Sequence, residues 1–189
     1  MKFRSSGAGG DDENFHRAVR RASVGLTEAV DRFNRARTAQ LIDHTEVAAT
    51  EAAIWIVVLD QLFESGPQGK DEYRTRRDAD DDGRVVLGVI FARNEGVHSL
   101  MIRQQWTDEP GIVYTEGFGR DLGFNFTEGS GRDLGINHEW FVRWGEAPDE
   151  RRPTKASGQK TFDAYRDYLQ GQWVHLTLRA AARWFDEAS

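Results

Sequence analysis

The sequence of 189 residues contains no cysteine and only 4 prolines. The lack of cysteine excludes disulfide bonds, zinc sites with thiolate ligands and catalysis by a thiol, and it fits a reducing compartment, so we expect a cytoplasmic protein. The longest apolar run, residues 52–59, is far shorter than the roughly 20 residues needed to cross a membrane. The N-terminal 14 residues have no apolar stretch, so we expect neither a secretory signal nor a membrane partner.

Positive charge is also scarce, because 31 acidic residues outnumber 25 basic ones and the net charge is −6. This balance excludes a nucleic-acid-binding protein that relies on the charge of the whole chain, so a polyanion would have to be held by a local patch. The length suits one core. We therefore expect a disordered arm over residues 1–13 and a single domain over residues 14–189.

Apolar residues recur at spacings of three and four, which is typical of amphipathic helices. The pattern predicts an all-α, up-and-down bundle with four main helices at about 15–39, 45–64, 84–103 and 161–186.

Several signals mark the ends of these helices. Asp43 and Glu46 form an N-cap pattern before the second helix, and Thr161 is a candidate N-cap of the last one. The second helix is apolar on every side over residues 52–59, which favours the centre of the bundle; a buried strand is the alternative for IWIVVL. The charged residues 70–84 are expected to be a connection, and Asp80–Asp82 suit the positive N-terminus of the third helix.

A glycine-rich insert over residues 104–158 separates the third and last helices. It contains a repeat, TEGFGRDLGFN at 115–125 and TEGSGRDLGIN at 127–137. We expect irregular structure there, with short strands near 111–114 and 138–144. Nothing in the repeat indicates a function, since it lacks the spacing and the strand–helix setting of a dinucleotide-binding loop.

Two other groups of residues have simple structural explanations. The aromatic residues Trp55, Trp173, Trp184 and Phe63 are expected to pack together in the core. Residues 78–83, DADDDG, match the first half of a calcium loop, but Val89 stands where the bidentate glutamate is needed. We expect an acidic helix start there, and neither a metal nor a cofactor is expected anywhere in the chain.

The third helix carries a polar cluster, RNEGVH at 93–98, within an otherwise apolar pattern. In a continuous helix Asn94 and His98 would share one face, and the long side chain of Arg93 could reach the same groove. Gly88 and Gly96 would allow close packing with a neighbouring element. A polar stripe that faces solvent is the alternative interpretation of this cluster.

Arg93, Asn94 and His98 read R-N-x3-H, which resembles the R-x4-6-H signature of the HEPN domain family. The near-fully apolar second helix and the tail YLQGQWVHLTLRAAARWF also look like helices of bacterial HEPN-like proteins. The resemblance covers about 15–103 and 159–187, and leaves out the glycine-rich insert. It implies a helical bundle and a homodimer in which two motifs form one composite site.

Many members of this family are metal-independent endoribonucleases, often toxins or defence effectors, while others bind nucleotides or RNA without cutting. The resemblance therefore implies RNA cleavage by the 2′-OH of the strand itself. A histidine can move the proton near neutral pH, and an arginine can bind the phosphate oxygens with its planar fork of donors. The roles implied are acid or base for His98, phosphate clamp for Arg93 and orienting hydrogen bonds for Asn94.

Some residues near the motif have roles that the sequence leaves open. Asp60, polar within the apolar second helix, could support Arg93, and Glu95 could pair with Arg93. RNA could be held by basic residues of the charged connection, or these could be solvated; they are Arg74, Arg76, Arg77 and Arg84.

The resemblance allows an antitoxin protein as a partner. Leu100 stands where the subtype paired with a nucleotidyltransferase antitoxin has tyrosine, so we expect no control through that tyrosine.

Two other functions remain possible. The chain could be a non-catalytic module that binds a nucleotide, RNA or a protein in the same groove. It could also be an interaction protein that acts through the insert.

Overall fold

The computed structural model describes residues 8–39, 41–104 and 141–188, without the side chains of residues 8–11, 98, 102–104 and 141. Its helices are α1 (Ala8–Thr38), α2 (Ile42–Glu64), α3 (Lys70–Ala79), α4 (Asp81–Glu95), α5 (Val97–Leu100), α6 (Ala156–Tyr168) and α7 (Val174–Ala188). The two strands are β1 (Met101–Gln104) and β2 (Phe141–Trp144), which pair antiparallel. The expected all-α bundle is thus confirmed.

Neighbouring helices of the bundle run in opposite directions. On α1 and α2, the rings of Phe15 and Phe63 lie 5.9 Å apart, and Arg32 contacts Glu51 at the other end of the pair. α4 and α6 pair in the same way, because Arg84 contacts Tyr168 while Phe91 packs on Phe162.

The expected aromatic cluster forms only in part. Phe63 stacks between Tyr73 and Phe185, and Tyr73 lies beside Trp184. The other two tryptophans lie apart from this group. Trp55 is half-buried against Gly25 of α1, and Trp173 lies next to His175.

Two glycines interrupt helices that the sequence pattern predicted as continuous. The expected helix at 84–103 ends at Glu95, because Gly96 adopts a φ of 88°, and the chain becomes extended from Met101. The expected helix at 161–186 is two helices, α6 and α7. Gly171 has a φ of 76° between them, and its N–H donates to the carbonyl of Trp144 in β2. Pairing with the strand replaces the helical hydrogen bonds at this break.

Three further expectations about segment ends are wrong. The charged residues 70–84 are not a connection, since most of them form α3. α2 begins at Ile42 with no side-chain cap, and the hydroxyl of Thr45 donates to the carbonyl of Leu41 there. Thr161 lies inside α6 and donates to the carbonyl of Gly158, so it caps nothing.

The remaining expectations concern the arm and the insert. Residues 8–13 of the expected disordered arm belong to α1, and residues 1–7 lie outside the described residues. The expected strand at 138–144 is represented by β2. The strand at 111–114 and both copies of the repeat fall outside the described part of the chain.

The acidic start of α4 is as the sequence predicts. Asp80 is the N-cap and accepts a hydrogen bond from the N–H of Gly83 at 3.0 Å. Asp81 and Asp82 lie in the first turn, where they offset the positive end of the helix dipole.

Candidate functional site

Arg93 and Asn94 project from the last turn of α4 and are both exposed. Nη1 of Arg93 donates to Oδ1 of Asn94 at 3.2 Å. Within the described residues, no carboxylate lies within ion-pair distance of Arg93, so its remaining guanidinium donors are available to a ligand. Glu95 was a candidate partner, and the structure pairs it with a different arginine.

The turn after Asn94 changes the geometry that the sequence predicted. Because Gly96 ends α4, Asn94 and His98 lie on two different helices, and the expected shared helical face is wrong. The backbone of His98 belongs to α5, whereas its side chain lies outside the described residues. Of the three candidate site residues, the structure therefore brings Arg93 and Asn94 together.

Side chains hold this turn in place from both sides. The hydroxyl of Ser99 bonds to the carbonyls of Glu95 and Gly96, at 3.0 and 2.8 Å. Nη1 of Arg151 donates to that hydroxyl at 3.3 Å and lies 3.8 Å from the carboxylate of Glu95. Arg151 thus links the segment before α6 to the turn of the motif. No sequence pattern singles out this arginine, because it lies in a short 3₁₀ helix, Asp149–Arg151, far along the chain.

A pocket of about 370 Å³ opens beside Asn94. One wall is the end of α4, and the other is the segment that leads into α6. Its lining combines an aromatic edge, a proline ring, hydroxyls and one cation; the residues are Phe91, Asn94, Glu95, Pro153, Thr154, Lys155, Ser157, Gly158 and Thr161. Because Asn94 also accepts the hydrogen bond of Arg93, the pocket and the arginine belong to one surface.

Asp60 does not support Arg93, as the sequence suggested it could. It is buried against α3, where it accepts hydrogen bonds from Tyr73 at 2.8 Å and from Arg77 at 2.6 Å. Burial raises the pKa of the Asp60 carboxyl, and the adjacent charge of Arg77 acts in the opposite direction. Burial also raises the pKa of the Tyr73 hydroxyl, which keeps it a hydrogen-bond donor.

The basic residues proposed to hold RNA make contacts within the protein. Arg77 is buried on Asp60, and Arg74 binds Glu64 through two hydrogen bonds. Arg76 lies over the ring of Trp184, and Arg84 contacts Tyr168. Their main role in this structure is to fasten α3 and α4 to the bundle, so they offer few free donors to RNA.

The acidic residues 78–83 do not form a calcium loop. Asp78 pairs with Arg77 and Lys160, and Asp80 caps α4. No group of three or more potential metal ligands occurs in the part of the chain that the structure describes.

The motif surface has the elements of a phosphate-binding site. An exposed guanidinium with free donors can bind phosphate oxygens, and the amide oxygen of Asn94 accepts one of its hydrogen bonds. The pocket next to it adds the ring edge of Phe91 and the hydroxyls of Ser157 and Thr161 to this surface. These groups have the chemistry to bind and orient a phosphodiester, whereas proton transfer would require the imidazole of His98.

Comparisons of the chain with the profiles of known protein families, with curated proteins and with solved structures find no match. No helix within the described ranges has the length and apolar character needed to span a bilayer.

Proposed function

We propose that the chain is a metal-independent endoribonuclease of the HEPN type, which cleaves RNA at a composite site built by a homodimer. The observation that supports the proposal is the exposed Arg93, held by Asn94 and free of carboxylate partners among the described residues. Of the arginines near the motif, Arg151 already binds side chains of the turn. Arg93, by contrast, keeps guanidinium donors for a substrate phosphate.

The proposed reaction is attack by a ribose 2′-OH on the adjacent phosphorus. Arg93 stabilises the extra negative charge of the phosphorane, which is the larger contribution in reactions of this kind. His98 removes the proton from the 2′-OH or delivers one to the 5′-oxygen that leaves. The products are a 2′,3′-cyclic phosphate and a 5′-hydroxyl end. A role as a toxin or defence effector, with an antitoxin as a partner, rests on the resemblance of the motif alone.

The break at Gly96 bears on this mechanism. Arg93 lies on α4 and His98 on α5, and the two helices are joined by one turn, so the distance between these residues depends on how firmly that turn is held. The bonds from Ser99 and Arg151 restrict the turn. Such restriction favours the fixed geometry that a reaction without a covalent intermediate requires.

The experiment is an RNA-cleavage assay of purified protein in EDTA, with analysis of the product ends. We expect cleavage with 2′,3′-cyclic phosphate ends, and loss of cleavage in His98→Ala. The matched control is His16→Ala, which removes an exposed histidine from α1 and should cleave normally. Cleavage by His98→Ala at the wild-type rate would contradict the proposed role. RNA binding without any cleavage by the wild type would support a non-catalytic binding module instead.

A further inference from the structure

A second basic surface lies where α1 ends and α7 begins. We name it the His175 cluster, and it comprises Arg143 of β2, Trp173, His175 and Arg179. The ring of Trp173 lies 6.4 Å from that of His175, and Arg179 follows His175 by one helical turn. Burial, together with the positive charges of Arg37 and Arg179, lowers the pKa of His175 to about 4.

Two arginines of this cluster have unused binding capacity. The guanidinium of Arg143 stacks on Trp173, with 4.0 Å between its carbon and the ring centroid. Its Nε is buried and has no hydrogen-bond partner within the described part of the chain. Arg179 is exposed. Neither arginine has a carboxylate within ion-pair distance among the residues that the structure describes.

The cluster is connected to the motif through the strand ladder. Arg143 lies opposite Ile102 in the β1–β2 pairing, and Ile102 follows His98 by four residues. At helical and extended rises per residue, that stretch spans about 10 Å or less. The β1–β2 pairing therefore joins the strand that carries Arg143 to the segment that directly follows the motif.

We propose that the His175 cluster binds a backbone phosphate of single-stranded RNA, as a second contact beside the motif. This inference rests on the proposed function for the identity of the polyanion. The chemistry is that of single-strand binding, in which arginines meet the phosphates and an aromatic ring accompanies them. The cluster thus supplies the local patch that the net charge of −6 requires.

The test measures binding of a fluorescent 2′-O-methyl RNA strand, which lacks the attacking hydroxyl, by anisotropy over a series of salt concentrations. Arg143→Gln and Arg179→Gln are compared with Arg183→Gln. Arg183 lies one turn from Arg179 on the same exposed side of α7, but it pairs with Asp82. Each variant removes one positive charge, so the control accounts for the change in net charge.

We expect binding about tenfold weaker for each cluster variant, as for the loss of one charge-assisted contact, and little change for Arg183→Gln. The slope of log affinity against log salt should fall by about 0.7 for each lost phosphate contact. The proposal would be overturned if both cluster variants bound the strand as tightly as Arg183→Gln does. It would also be overturned if the wild type did not bind the strand.

The imidazole gives a second, independent readout. A phosphate bound at the cluster would offset the nearby positive charge and raise the pKa of His175, which NMR titration measures with and without the strand. An unchanged pKa on saturation would contradict a phosphate at this place. If the wild type cleaves RNA and the cluster variants bind the strand as tightly as it does, only this inference is refuted. If the cluster binds the strand but the wild type does not cleave natural RNA, only the proposed nuclease function is refuted.

Discussion

Nη1 of Arg77 lies 2.6 Å from Oδ1 of Asp60, and both side chains are less than 10% exposed. This ion pair joins α3 to the apolar centre of α2. Tyr73 donates to the same carboxylate oxygen, and Glu64 lies 3.5 Å from the guanidinium. The backbone of Arg77 is also closely packed, since a Cβ added at Gly83 would lie 2.2 Å from the Arg77 carbonyl oxygen.

Replacing one member of this pair should destabilise the fold strongly. We expect Arg77→Met to lower the free energy of unfolding by about 3–5 kcal/mol, because it leaves the Asp60 carboxylate buried without its partner. Denaturant unfolding measures the change. Arg74→Met is the control on the same helix; its exposed ion pair should contribute about 1 kcal/mol or less. Equal losses for the two variants would contradict the account of the buried pair.

The turn at Gly96 should tolerate no side chain. Its φ of 88° is unfavourable for any other residue, so Gly96→Ala should cost about 1–3 kcal/mol of stability. It should also reduce RNA cleavage, because relief of the strain moves α5 relative to Arg93. Gly171→Ala introduces the same kind of strain in the α6–α7 break, at a φ of 76°. That variant should lose stability but keep its cleavage rate, and equal losses of cleavage in both would argue against a specific role of the Gly96 turn.

Arg151 should affect the reaction without touching the substrate. Arg151→Ala removes the hydrogen bond to Ser99 and the charge beside Glu95. Since the side chain is partly exposed, we expect a stability change within about 1 kcal/mol and a several-fold lower cleavage rate. The control is Arg152→Ala, which breaks an exposed pair with Asp163. If both variants cleaved RNA at the wild-type rate, the turn would need no support from Arg151.

His175 should make the fold less stable in acid. Its pKa is about 4 in the folded protein and about 6.5 in the unfolded chain, so the unfolded chain binds the extra proton first. Stability should therefore fall as the pH drops from about 6.5 to about 4, by up to about 3 kcal/mol. His175→Gln should lack this part of the pH dependence. Unfolding curves at several pH values measure it, and identical slopes for both proteins would refute the assignment.

The sequence predicted the helices of the bundle because their apolar periodicity is long and regular. It did not predict the breaks at Gly96 and Gly171, since apolar residues continue at helical spacing on both sides of each glycine. The pattern of apolar residues does not reveal that a glycine adopts a positive φ. α3 was missed for a related reason: its buried residues are Tyr73 and Arg77, and a buried arginine does not register as apolar.

Of the candidate site, the sequence could predict only the contact between residues that are adjacent in the chain. Arg93 and Asn94 are adjacent in the chain, so their proximity required no knowledge of the fold. Asp60 was noted as polar within the apolar second helix, but Arg93, the residue it was expected to support, is not its partner. Its partner, Arg77, could not be identified, because the pairing depends on how α3 packs on α2.

The most direct test of the central claim is the rate of RNA cleavage by Arg93→Ala. The claim predicts a loss of about 100-fold or more in single-turnover cleavage, because the phosphorane loses its guanidinium. Arg93→Lys should recover part of the rate, since it keeps the charge but not the fork of donors. Arg17→Ala, which removes an exposed arginine from α1, should cleave like the wild type. A rate for Arg93→Ala equal to that of Arg17→Ala would contradict the claim.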